Sequence, residues 1–122
     1  MSEAFKLFEQ PIAGLEHAFS SYKEARDALK ELAEGERLHL QRESNNRFDA
    51  SATMLVWPRK DGTMRHLGYV PRAFAVAVAA LLDNGYELEA RVEDIMVKKR
   101  SATFSVWMHP ATISVVGDNE GT

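Results

Sequence analysis

The stretch QRESNNRFDASATMLVW, Gln41–Trp57, starts at the end of one strand-like segment and finishes inside another. On its N-terminal side, Glu36–Arg42 (ERLHLQR) alternates apolar and polar residues, with Leu38 and Leu40 on one side and His39 facing solvent. On its C-terminal side, Ala52–Trp57 (ATMLVW) is a β-prone apolar run, closed by Pro58 and the Lys60-Asp61-Gly62 turn. Between them sit two asparagines, an arginine, a phenylalanine and an aspartate, where a turn needs only a glycine or one asparagine. A strand, a chemically rich loop and a second strand make this a β protein and mark the loop as the place to look for function.

Outward from this stretch the β pattern continues. Phe8–Leu15 reads as a first strand, with Pro11 near its start and Gly14 marking a bulge or close approach. Met64–Val70 returns as a hairpin partner of Ala52–Trp57, and Glu87–Val97 alternates like a half-buried strand. Short strands near Ala102–Met108 and Thr112–Val116 follow the basic Lys98-Lys99-Arg100 turn. Two helices interrupt the strands. The first carries a Ser21/Glu24 capping box and an apolar face of Tyr22, Ala25, Leu29, Leu32 and Ala33, ending at Gly35. Pro71 opens the second, RAFAVAVAALLDNG, which stops at Asn84-Gly85. The spacing predicts a mainly β chain of six to seven strands with two inserted α-helices. Such a sheet buries its edges by closing, or nearly closing, into a small barrel.

Composition sets the limits. A chain of 122 residues is a single domain's worth, with a core over about 8–116 and a mobile tail at 117–122. It has no cysteine, which excludes disulfides and thiolate zinc sites. No apolar run reaches the roughly 18 residues of a membrane span, and the acidic N-terminus lacks a signal peptide's basic region, so a cytoplasmic location and no membrane partner are expected. The net charge of −3 argues against coating nucleic acid by bulk electrostatics. Its distribution is uneven: residues 42–72 carry 6 basic and 3 acidic side chains, while the flanking segments are both net acidic. The positive excess falls on the opening loop and its neighbours.

Catalytic constellations are not evident. There is no Gly-rich phosphate loop, nucleophile elbow or His-Glu-x-x-His helix. His17, His39, His66 and His109 stand singly, so no metal or cofactor is implied and the chain is expected not to be an enzyme. The loop admits two readings. In one, Asn45, Asn46 and Asp49 cap backbone groups. In the other, Arg42, Asn45 and Asn46 offer hydrogen bonds while Phe48 supplies a stacking face for an unpaired base. Tyr69 and Arg72 join the second reading, at a helix start whose free amides suit a phosphate.

Three blocks in order resemble the HIRAN domain family: PIAGLEHA (Pro11–Ala18), GERLHLQRESNNRFDASA (Gly35–Ala52) and LGYVPRAFAVAVAALLDNG (Leu67–Gly85). The resemblance spans Phe8–Val97 and implies a modified OB-like barrel. HIRAN domains occur fused to helicase-like remodelling enzymes and as stand-alone bacterial proteins, and one member captures the 3′-hydroxyl end of single-stranded DNA. What the resemblance implies here is a terminal-nucleotide pocket formed by Asn45, Asn46, Phe48, Asp49, Tyr69 and Arg72, serving DNA repair or replication-fork processing. The chain departs from the family at Arg47-Phe48, where Pro-Tyr is usual, and at Ser51, where Asn is usual. Glu16 and His17 stand where the DNA-binding member has an Arg-Tyr pair, which makes His17 a further candidate contact and Glu16 a source of phosphate repulsion. The expected partners are single-stranded DNA or DNA ends. The alternative is a protein-interaction barrel that couples to a separately encoded helicase or nuclease and does not itself bind DNA.

Overall fold

A computed structural model of the chain describes residues 3–110. Its elements run β1 (Phe5–Pro11), a 3₁₀ turn (Leu15–His17), α1 (Tyr22–Glu31), β2 (Arg37–Arg42), β3 (Thr53–Pro58), β4 (Met64–Tyr69), α2 (Arg72–Asp83), β5 (Leu88–Met96) and β6 (Ser101–Met108). All six strands pair antiparallel in one sheet of order β1-β6-β5-β2-β3-β4. The expected mainly β, OB-like architecture is the one observed, with six strands among the described residues. The seventh expected strand, Thr112–Val116, and the tail at 117–122 lie outside them.

No continuous ladder joins the two edges of the sheet. Just past β1, however, Ala13 makes one antiparallel bridge to Tyr69 at the end of β4, with reciprocal hydrogen bonds of 3.0 and 2.8 Å. Gly68 is what allows this approach. It sits at φ 153°, and a Cβ there would collide with the Ala13 carbonyl oxygen and lie 2.7 Å from Ile12 Cγ2. The close approach expected at Gly14 is therefore made at Gly68. Gly14 instead takes φ 77° to start the 3₁₀ turn, and the bulge of β1 falls between Lys6 and Phe8.

The inward faces of the strands meet in one core containing Leu38, Leu55, Trp57, Leu67, Val92, Phe104 and Val106. Burying such side chains contributes about 1.5–3 kcal/mol each and drives the assembly. Helix α1 adds Ala25 and Leu29, and α2 adds Ala75, Val78 and Ala79. The Ser21 cap forms as expected, its hydroxyl accepting from Glu24 N at 3.0 Å. The Glu24 carboxylate reaches back one residue further than a capping box requires, to Ser20 N at 2.7 Å. The helix stops earlier than Gly35. Leu32 turns extended to bury its side chain, which leaves Ala33 exposed, while Gly35 at φ 83° leads the chain into β2. Tyr22 also leaves the expected apolar face: it is exposed, with the Arg100 guanidinium 4.2 Å above its ring. Of the two tryptophans, Trp57 is core, while Trp107 lies half-buried between Arg91 and Lys6. No helix among the described residues is long and apolar enough to cross a membrane.

Candidate functional site

The loop from Glu43 to Ser51 folds on its own side chains. Asn46 Oδ1 accepts from the backbone N–H of Phe48 at 2.8 Å and of Asp49 at 3.0 Å. Asp49 Oδ1 accepts from Ser51 N at 2.9 Å. These are the local side-chain turns that Asn and Asp favour, so the capping reading holds for both residues. It holds for Arg42 as well. Rather than facing a ligand, its guanidinium donates to the carbonyls of Ala52 (2.8 Å) and Ala50 (2.9 Å) and forks onto Asp83 at the end of α2 (3.0 and 3.1 Å). Its hydrogen bond holds the Asp83 carboxyl below the usual carboxylate range. Arg42 is a brace between the loop and α2.

So braced, the loop presents Phe48 to solvent at 89 % exposure. An aromatic this exposed contributes little to the core and leaves its ring open to solvent. Beside it, Asn46, Asp49, Tyr69 and Arg72 line a cavity of about 330 Å³ floored by Ala52 and Val70. Arg72 heads α2 and is 74 % exposed. One of its nitrogens donates to the Phe48 carbonyl at 3.0 Å, and Nε lies 3.5 Å from Asp49 Oδ2. Pro71 supplies no side-chain cap for the start of α2.

Tyr69 is fixed from behind by a residue the sequence reading did not single out. Its hydroxyl donates to Glu43 Oε1 at 3.1 Å, and Asn46 Nδ2 donates to the same oxygen at 3.0 Å. Burial, reinforced by this bond, pushes the Tyr69 hydroxyl above its usual range and keeps it protonated. The available signal for Glu43 was its spacing three residues before Asn46, the reach of a turn, but only the fold brings it to Tyr69.

Of the eight residues expected at the site, Asn46, Phe48, Asp49, Tyr69 and Arg72 come together. Arg42 braces the loop, and Asn45 is exposed and does not line the cavity. His17 lies on the other side of Tyr69, in an adjoining cavity of about 590 Å³ shared with Arg65 and His66. Glu16, exposed beside His17 on the 3₁₀ turn, lines neither cavity. Among the described residues no cluster of three or more His, Asp or Glu is placed to hold a metal ion.

Comparison with known proteins agrees with this architecture. A protein from Lactobacillus plantarum superposes with a TM-score of 0.72 at 25% identity, covering 89% of this chain and 98% of its own. The HIRAN domain of human HLTF superposes with a TM-score of 0.64 at 19% identity, covering 88% of this chain and 78% of that one. No curated protein sequence matches. The HIRAN domain profile matches residues 7–110, across nearly the whole sheet and the loop that carries Phe48, and the chain therefore belongs to the HIRAN domain family.

Proposed function

We propose that this protein is a non-enzymatic nucleic-acid-binding module that takes single-stranded DNA, and its 3′ end in particular, at the Phe48 cavity. The observation that carries the reading is the solvent-facing Phe48 ring on a braced loop, next to the exposed Arg72 and the uncapped start of α2. A base stacked on Phe48 gains about 1–3 kcal/mol whatever its identity. Arg72 and the α2 amides then lie where the attached sugar and phosphate fall. Work at DNA ends, in repair or replication-fork processing, is the setting such a pocket fits.

A second reading rests on the charge of the surface. Asp49 pairs with Arg72, and Glu43 stands behind Tyr69, so the positive excess of this sequence segment is largely compensated around the cavity. That balance suits a protein segment of a helicase or nuclease docking on Phe48 at least as well as a polyanion. Fluorescence anisotropy separates the two. Short single-stranded DNA with a free 3′-hydroxyl should bind more tightly than the same strand with a 3′-phosphate, and Phe48→Ala and Arg72→Ala should each lose that preference. Absence of binding to either strand at low salt would leave the protein-docking reading.

A further inference from the structure

Helix α2 is apolar on both sides. Between Arg72 and Asp83 its sequence, AFAVAVAALL, holds no charged or polar side chain. One side packs into the core through Ala75, Val78 and Ala79, with Phe74 and Leu82 half-buried beside them. The other side, Ala73, Val76, Ala77 and Ala80, faces solvent, and Val76 is 65 % exposed. A surface helix ordinarily carries charge on its outer face, whereas one that is apolar all round is covered. No described residue covers this face.

The two ends of the face are complementary to each other. Positions 72, 76, 80 and 83 follow the helical repeat, so Arg72, Val76, Ala80 and Asp83 form one row: a cation, two apolar residues and an anion. Both charges oppose their own helix. The cation stands at the positive N-terminal end of the dipole and the anion at the negative C-terminal end. Arg72 has Asp49 beside it and Asp83 has Arg42, yet at 74 % and 55 % exposure each keeps a side open to solvent. An exposed aromatic stands by each end as well. The Phe48 carbonyl accepts from Arg72, and Tyr86 follows Asp83 with its N–H bonded to the Leu81 carbonyl at 3.0 Å. A second α2 laid antiparallel across this row brings an anion to the cation, a cation to the anion, and Tyr86 to Phe48.

We infer that the outer face of α2 is a self-association surface whose occupant is a second copy of this chain. The two α2 helices lie antiparallel about a two-fold axis, so every contact occurs twice. The alanines let the backbones come close, and Val76 of each copy packs on Ala80 of the other. Phe48 and Arg72 then serve one occupant at a time. Pairing excludes a strand at the Phe48 cavity, and it stands whether or not that cavity binds DNA. One helix face per copy is smaller than the roughly 800 Å² per partner of a standard interface, so the dimer is weak, with a Kd of about 10–100 µM.

The test is sedimentation equilibrium of the whole chain from about 10 µM to about 1 mM. Wild type should pass from monomer to dimer across that range. Val76→Glu, at an exposed position, should keep its circular dichroism spectrum and raise Kd by roughly tenfold or more. Arg72→Asp and Asp83→Arg each set like charges against each other at both ends of the pair, and each should weaken it about tenfold. Mixed in equal amounts, these two variants should associate with roughly the wild-type Kd, because one is then acidic at both ends of α2 and the other basic at both. A chain that stays monomeric to about 1 mM would overturn the inference and leave the face to a different protein. A dimer that survives Val76→Glu would overturn it by placing the contact elsewhere. So would a mixture of the two charge variants that associates no better than either alone.

Discussion

Replacing Arg42 with methionine separates its bracing role from ligand binding. Methionine keeps most of the aliphatic stem and removes the guanidinium. Arg42 is only 17 % exposed and makes two kinds of contact: bonds to the Ala50 and Ala52 carbonyls, and the fork onto Asp83, which is 55 % exposed. The carbonyl bonds carry most of the effect, at about 1 kcal/mol each. The Ala52 carbonyl keeps its bond from Glu43 N, and the exposed Ala50 rehydrates, so no large burial penalty follows. The fork to Asp83 is open to solvent and adds little. Arg42→Met should therefore destabilise the protein by roughly 2 kcal/mol, a drop in Tm of about 6–12 °C for a domain of this size. Urea titration followed through the buried Trp57 measures it. Asp83→Asn, which loses only the ion pair, should cost far less, and Arg42→Lys should fall between, because an ammonium's three donors lack the planar fork that meets four acceptor oxygens here. Equal losses in Arg42→Met and Asp83→Asn would place the energy in the ion pair, and a loss under about 0.5 kcal/mol for Arg42→Met would refute the brace.

Two further outcomes follow from the same geometry. Gly68→Ala forces a methyl group into the Ala13 carbonyl at a φ that side chains rarely adopt, so it should cost upwards of about 2 kcal/mol; amide exchange at Ala13 and Tyr69 should accelerate selectively, and unchanged protection there would show that the bridge does not hold the edges. The third concerns Glu89, which is buried and meets Arg37, Arg91 and His109. Burial alone would raise its pKa, but the bonds from Arg91 and His109 and the charges of Arg91 and Arg37 outweigh it, and the carboxyl lies below its ordinary value. A depressed folded-state pKa means stability that is complete above the ordinary glutamate value of about 4.3 and lost as pH falls through the lower folded value. Glu89→Gln should therefore be less stable at pH 7 and show a shallower acid-side loss, and parallel stability profiles for the two proteins would contradict the assignment.

Much of the molecule was legible without coordinates because the signals are local. Alternation in ERLHLQR, the Ser21 hydroxyl at a helix start and the bracket of Pro71 and Gly85 around an alanine-rich run act over a few residues, and each formed close to where it was read. Phe48 was legible as well, since an aromatic in a polar loop has no core-facing periodicity to satisfy. Boundaries were less secure. Leu32 ended α1 early because burying its side chain outweighed continuing the helix to Gly35.

The amino-acid sequence by itself determined the mainly β class, the two helices and the loop worth watching. Tertiary structure alone decided what that loop's polar groups do. Arg42 turns to Asp83, 41 residues away, and Tyr69 finds Glu43, 26 residues away. Gly68 admits Ala13 and nearly closes the sheet, and His17 meets His66 across a cavity. Propensity and capping constrain the chain over one turn or one strand. Which donor meets which acceptor depends on strand order and register, and these emerge only when the whole core packs.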